Sequence, residues 1–526
     1  MLFIRLGLIV FLSFFLGCGK HSSTKPSCFR MNLWIDPATL DPRKARDINA
    51  ITTCRMLFEG LTRIGKDGNP ELAVAESVEI SNDGLEYVFH LRNTFWSDGT
   101  PVTADHFAES WKTALRPDFP TDVAYQLYVI QNAQDIKQGL KKAEELAVGT
   151  PDPLTLIVKL EKPTAYFLEA CSMPVFFPVS GATSDNWGAE IETLTFNGPF
   201  ILKTWDHNSE IRLQKNPTYW EKDQVHLQEV SLVMVASDTE IQMFEEGELD
   251  FAGGLLSRIP MDAVEHLQET GQLKKNPVSG TRFVRINTSE KIGDTPNILS
   301  KIAFRKALSC AIDRTAITKH VLHGTKPLAH SLVPPEMELH CPRSDQSREM
   351  APFFLQDALE TMGQTVSTLP PLVLSFVDME LNRALAQVIQ QQWEEALGIR
   401  VELQALELKV FYQKLREKEF QVVLGSWIAD FNDPINFLEV FKFKNGGSNN
   451  TNWEDEKYIA LLNQSAICRD QDQRRSILRE AEKILMEQMP IIPLYHEAMS
   501  FLQREEAREV VISPIGHVDL RWTRME

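Results

Sequence analysis

An α/β protein of several domains is the fold class this sequence predicts, and three observations predict it. At 526 residues the chain is too long for one hydrophobic core, so two or three domains are expected. The second half alternates as an α/β layer does. Leu381 to Leu397 carries helical apolar spacing at Leu381, Leu385, Val388, Ile389 and Trp393, Gly398 stops it, and Ile399-Arg400-Val401-Glu402-Leu403 follows as a strand. The first half is richer in short strands of antiparallel type.

Taken in order, Met1 to Gly17 is a short apolar run with one cation, Arg5, ending in small residues. It is too short to span a bilayer comfortably and reads as a secretory signal. Phe15-Leu16-Gly17-Cys18-Gly19 then resembles the bacterial lipoprotein processing box, which makes Cys18 the expected lipidated first mature residue. The alternative is a plain signal cut elsewhere. Residues 18–27 read as a polar tether. The strand signals are Tyr87 to Leu91, Leu154 to Val158, Ile211 to Leu213, Val230 to Val235, Leu372 to Phe376 and Gln421 to Leu424, each short, β-branched or aromatic and bounded by polar or Gly/Pro residues. Asp455 to Met489 reads as helical and stops at Pro490, after which Ile491 to Tyr495 runs extended.

The formal net charge of -18 disfavours nucleic acid, whose phosphates need clustered Lys and Arg. Six cysteines besides Cys18 are scattered with no C-x-x-C pair, which makes zinc an unattractive reading. Gly60 to Lys66 fits most of a phosphate-binding loop, but Asp67 stands where Ser or Thr must hold magnesium, so the run is better read as a hairpin turn. His496-Glu497 begins a zinc-protease pattern that Ser500 breaks, and no Gly-x-Ser-x-Gly elbow is present. Neither catalysis nor a metal has an obvious residue set.

One loop carries binding chemistry. Gly425-Ser426-Trp427-Ile428-Ala429-Asp430-Phe431-Asn432-Asp433-Pro434 sets a lone carboxylate, Asp430, beside Trp427 after an apolar strand. Such an acid suits a small cation, for instance a peptide α-amino group. The plainer reading is a surface turn before a helix beginning at Pro434.

Ordered motifs add to this: Leu40-Asp41-Pro42, Leu57-Phe58-Glu59-Gly60-Leu61-Thr62, Phe95-Trp96-Ser97-Asp98-Gly99-Thr100-Pro101, Asn197-Gly198-Pro199-Phe200, Asn216-Pro217-Thr218-Tyr219-Trp220, Gly247-Glu248-Leu249-Asp250, Arg305-Lys306-Ala307-Leu308 and Trp427 to Pro434. Over nearly the whole mature chain they resemble the peptide-binding receptors of bacterial ABC importers, the oligopeptide-binding proteins and their dipeptide- and nickel-binding relatives. The resemblance implies a two-lobed periplasmic-binding-protein fold with an additional inserted domain and ligand in the interlobe cleft. The first lobe would comprise residues 28–57, 175–280 and 495–526, the inserted domain 58–174, and the second lobe 281–494. Within the Trp96 to Asp105 unit, Asp98-Gly99 supplies a turn, and Thr103 and Asp105 offer a helix start before Phe107 and Trp111.

The same resemblance places the amine-binding acid at Asp430, with Trp427, Ser426 and Ile428 lining the cleft and Ile48 and Arg46 on the first lobe's pairing edge. Departures accompany it. Leu424 stands where well-studied members carry a basic residue for the ligand carboxylate. Asn382 stands at a further basic position. Two cleft cysteines that can pair in some members appear as Gly280 and Ile428. Arg282, Arg285, Arg416 and Lys319 are the candidate substitutes for the missing cation. The implied protein is a monomeric, lipid-anchored extracytoplasmic receptor that hands oligopeptides to ABC permease subunits, with no catalysis, cofactor or metal. The alternatives are the same fold with a dipeptide, cell-wall peptide, nickel chelate or haem as cargo, an exported peptidase, or an adhesin-like role.

Overall fold

The computed structural model describes residues 27–181, 194–339, 347–468 and 470–526. The 1–17 leader, Cys18, the tether up to residue 26 and Cys341 lie outside the described residues.

Two long strands organise the molecule. Lys274–Ile286 and Ile491–Gln503, 13 residues each, run antiparallel through the middle of a 10-stranded mixed sheet. Beyond one of them lie, in order, Phe251–Gly253, Cys28–Asn32, Glu229–Val233, Glu210–Lys215 and Phe200–Asp206. Beyond the other lie Val422–Ile428, Leu372–Val377 and Val401–Leu406. Each half has its own helices and core, giving two α/β lobes that share the central strand pair.

In the first lobe Phe29, Met31 and Leu232 pack into one core with Phe89, Trp96, Trp111 and Leu156. The last four belong to a segment with its own four-stranded antiparallel sheet, ordered Ala75–Ile80, Glu86–Leu91, Thr155–Lys159, Val148–Asp152. In the second lobe, Val284 faces Leu374, Leu385 and Trp393, while its neighbour Phe283 faces Phe437, Tyr458 and Leu478 on the opposite side of the sheet. Because Phe283 and Val284 are buried on opposite faces and Arg282 and Arg285 flank them, no period-two alternation marks this strand in the sequence.

The pairing of the two long strands slips between Pro277 and Thr281 and again between Arg282 and Phe283. Proline has no N–H for the ladder, and an extra residue bends the strand that carries it. Gly280 sits at the slip because the chains crowd there: a Cβ would stand 2.9 Å from Cγ of Glu497 and 3.2 Å from Cγ1 of Ile428.

Local expectations meet their structures in detail. Thr103 closes a capping box with His106 and opens helix Ala104–Leu115, which buries Phe107 and Trp111. Gly65 to Asn69 is the turn of a hairpin between Thr62–Ile64 and Pro70–Leu72. Two expectations are corrected. The expected loop after Leu424 is still strand as far as Ile428, because Gly425, Ser426, Trp427 and Ile428 pair with Phe283, Arg282, Thr281 and Gly280. The single helix expected over 455–489 is two, Glu456–Ile467 and Gln471–Gln488, the second capped by Asp470, whose side chain accepts from the Gln473 N–H. The described cysteines 28, 54, 171 and 468 are free thiols.

Candidate functional site

Strand Val422–Ile428 begins inside the second lobe and ends at its surface. Val422, Val423 and Leu424 are buried, whereas Ser426 and Ile428 are exposed. One edge pairs fully with Lys274–Ile286. The other pairs with Leu372–Val377 only at Val422 and Val423, so from Leu424 onward it has no strand neighbour among the described residues. An open edge of this kind offers backbone donors and acceptors to an extended guest.

Asp430 follows directly. Water reaches its carboxylate, yet protein crowds it on most sides, and that burial raises its carboxyl pKa above the usual range against a lowering hydrogen bond from Asn436. Asp430 thus stands exposed at the open end of the strand, with its charged form disfavoured by the protein around it. No cationic side chain among the described residues lies within ion-pair distance of it. Asn436 fixes the local geometry: its Oδ1 accepts from Trp427 Nε1 at 2.8 Å and from the Asp430 N–H at 3.3 Å. Beyond the acid, Phe431 stacks on Tyr166 of the first half with ring centroids 4.5 Å apart, and Asn432 Nδ2 donates to the Gly68 carbonyl at 3.2 Å. Asp433 forms a buried two-point ion pair with Arg474 at 2.7 and 2.9 Å. The loop that presents Asp430 is therefore pinned on both flanks.

The facing wall comes from the first lobe. The Tyr125 hydroxyl titrates high, through burial first and the Asp430 charge second, while Arg46 opposes both. Arg46 and Asp430 thus approach the same phenol from different lobes. Arg46 is already ion-paired with Asp122 at 2.9 Å, both side chains being exposed. Ile48 opens helix Ile48–Leu57 behind the Asp47 cap and packs partly against the first-lobe core. Asn382 is buried, with Nδ2 donating to the Val377 carbonyl at 2.8 Å and Oδ1 accepting from Arg282. Leu424 packs in the second-lobe core and offers nothing to the cleft. Gly280 and Ile428 are register partners across the strand pair.

Sequence reasoning passed over Tyr125, Asn436, Trp34 and Ile35. Trp34 and Ile35 are each 52% exposed just past the end of Cys28–Asn32, with Trp34 in the left-handed region at φ 68°. A non-glycine residue held there is unusual and concentrates at functional sites. Met379 and Leu408 are exposed in the same way, just after parallel strands Leu372–Val377 and Val401–Leu406. Ligands of open α/β sheets bind outside the carboxyl ends of parallel strands, and that rule, applied to the strand ends, was the available signal. Two small cavities around Arg55 and Asp519 lie apart from this wall. Among the described residues no group of three or more His, Cys, Asp or Glu is placed to hold a metal ion.

The arrangement matches proteins already known. The sequence pattern of the family described as bacterial extracellular solute-binding proteins, family 5 Middle, matches residues 69–449. The chain is 36% identical over 517 residues to the oligopeptide-binding protein OppA of Bacillus subtilis, covering 96% of this chain and 94% of that protein. It is 32% identical over 548 residues to the dipeptide-binding protein DppE of the same organism, covering 98% of each. Among solved structures it resembles the unliganded open form of the periplasmic murein tripeptide binding protein MppA, with a TM-score of 0.83 at 27% identity over 95% of this chain and 98% of that one. Listeria monocytogenes OppA bound to peptide gives 0.72 at 26% identity over 95% and 99%. Two lobes sharing crossover strands and a match over most of the sequence make this chain a member of the family 5 bacterial extracellular solute-binding proteins.

Proposed function

We propose that the protein is an extracytoplasmic receptor that binds oligopeptides between its lobes and delivers them to an ABC permease. The carrying observation is Asp430: a crowded, water-accessible carboxylate without a cationic partner among the described residues, beside an open strand edge. An ammonium group supplies the missing charge, and the edge supplies backbone hydrogen bonds that ignore side-chain identity. Both Bacillus subtilis relatives carry peptide-binding names. In this reading the lobes are residues 28–57, 175–280 and 495–526 against 281–494, with 58–174 inserted, and they close about the slip near Gly280. Trp427, Ser426 and Ile428 line the second-lobe side; Arg46 and Ile48 stand on the other. The receptor is a monomer anchored through a lipid on Cys18, and it performs no catalysis.

The first test is mass spectrometry of whatever the purified protein carries. Peptides released on denaturation are expected; a recovered nickel chelate or haem in their place overturns the reading. Chemistry at the peptide ends is the second test. Acetylating the ligand amine is expected to weaken binding by at least about 30-fold, the equivalent of about 2 kcal/mol for removing one partner of an enclosed charge pair. Amidating the carboxyl end costs less, because Leu424 offers it nothing.

Affinity also depends on pH with a definite sign. Only ionised Asp430 pairs with an ammonium, and its carboxyl in the empty cleft titrates above the usual range. As pH falls through that raised value, affinity drops by up to about tenfold per pH unit. The onset lies at higher pH than for an ordinary aspartate. In Asp430→Asn this acid limb of the calorimetric profile disappears; a limb that survives unchanged assigns the titration to another group.

A further inference from the structure

The cations on the cleft walls differ in what they already hold. Arg46 is paired with Asp122 at 2.9 Å, Arg383 with Asp378 at 2.6 Å and Lys326 with Glu497 at 2.8 Å. Among the described residues Arg285 lacks an acid and a partner for its Nε, but it is buried, away from the cleft, against Asn450 and the Ser448 carbonyl. Arg416 and Lys319 stand exposed on helical turns, away from the strands that carry Ser426. Arg282 is different. It is half-buried, its Nη2 reaches only the neutral amide oxygen of Asn382, and its Nε is shielded from water without a hydrogen-bond partner. No carboxylate among the described residues lies within ion-pair distance of it, and Glu497, on the neighbouring strand, is occupied by Lys326.

Its position follows from strand register. Val284, Arg282 and Gly280 stand opposite Leu424, Ser426 and Ile428, and residues paired directly across a ladder share a face. Along that face Val284 and Leu424 are core, Arg282 and Ser426 come next, and Gly280 beside exposed Ile428 follows. Asp430 lies two residues beyond the end of this strand, in the bend that follows it. Gly280 has no side chain of its own, and the Glu497 and Ile428 side chains close over it between the two charges.

We propose that Arg282, oriented by Asn382, is the anion-binding residue of this cleft and takes a ligand carboxylate. This rests on the reading of Asp430 as the amine partner. Three residues separate Ser426 from Asp430, which is at most about 13 Å along an extended chain. A guest advancing roughly 3.3 to 3.6 Å per residue spans that interval with about three to four residues. The favoured ligand is therefore a short peptide, with a positive end at Asp430 and a carboxylate at Arg282. That carboxylate is the C-terminus or an acidic side chain near it.

The test uses calorimetry on the intact protein with alanine peptides of two to six residues, their C-terminal amides, and Ala-Asp-Ala amide. Wild type is expected to prefer three or four residues and to lose roughly tenfold on amidation. In Arg282→Met, amidation is expected to change affinity less than about twofold, and in Arg282→Lys part of the wild-type preference returns. If Ala-Asp-Ala amide regains affinity in wild type and not in Arg282→Met, the bound carboxylate is a side chain. If it does not, and the free acid is preferred, the bound carboxylate is the C-terminus. Thermal melting of each variant reports folding separately, and Arg282→Lys keeps the test alive should Arg282→Met unfold. An amidation penalty equal in wild type and both variants overturns the proposal while leaving the amine site intact. A negligible penalty for N-terminal acetylation overturns the amine reading beneath it.

Discussion

Asp430→Ala is expected to weaken peptide binding by at least about 2 kcal/mol, roughly 30-fold, with the fold unchanged. In the empty protein the carboxylate is reached by water and crowded by protein, and burial alone lifts its pKa. A bound ammonium in that position relieves the strain on the charge, while alanine leaves the ammonium enclosed without a counter-charge. Much of the loss is thus the cost of a stranded cation rather than the worth of one hydrogen bond. Asp430→Asn keeps the size and loses the charge, so it should reproduce most of the effect. Trp427 and Asn436 remain bonded to each other in both variants, which preserves the wall. Calorimetry with a free-amine peptide and its acetylated counterpart decides the matter. In wild type acetylation is costly; in Asp430→Ala it should cost little, because the partner is already gone. An acetylation penalty that persists in full moves amine recognition elsewhere.

What the sequence reveals about this site divides along physical lines. Asp430 and Trp427 are legible because an acid and an aromatic stand together after an apolar strand. That the strand runs on through Ile428 is not legible, since it depends on pairing with residues 280–283, far away in sequence. Leu424 is legible as unable to bind a carboxylate. Its burial in the second-lobe core follows from strand alternation once the register is known. Arg282 is one of four equivalent cations until packing shows that Arg285 is buried against Asn450 while Arg282 is half-buried opposite the exposed Ser426. Asn436 lies within the apolar turn Ile435–Leu438 and gives no sign that two neighbours depend on its one oxygen. The break between the helices near residue 470 carried a local signal, an aspartate cap in a polar run, which the longer apolar period concealed. Periodicity and turn chemistry are local and readable. Register, and the choice of which polar groups pair, belong to the tertiary structure.

Arg474→Met is expected to destabilise the protein by about 3–5 kcal/mol and to weaken peptide binding as well. Arg474 and Asp433 form a two-point pair whose side chains are only 5% and 8% exposed. Removing the cation strands the Asp433 carboxylate, with the Glu169 and Tyr166 side chains on its flank. Asp433 also accepts from the Ile435 N–H at 2.8 Å, so disturbance at this residue reaches Asn436, and through it Trp427 and Asp430. The reciprocal change, Asp433→Asn, should cost less, about 1–2 kcal/mol. Glu169 makes the difference. Burial, and then the Asp433 charge, push its carboxyl up to about 7, while Arg474 pulls the other way. Once Asp433 is neutral, Glu169 ionises more readily and supplies Arg474 with a substitute. The linkage sign follows: with a folded pKa near 7 against an ordinary 4.5, the unfolded chain releases this proton first, so this group's contribution to stability declines as pH rises across that interval. Asp433→Asn should flatten the decline. Urea denaturation midpoints from pH 4.5 to 7 measure both effects, and finding Asp433→Asn more damaging than Arg474→Met would remove Glu169 from the account.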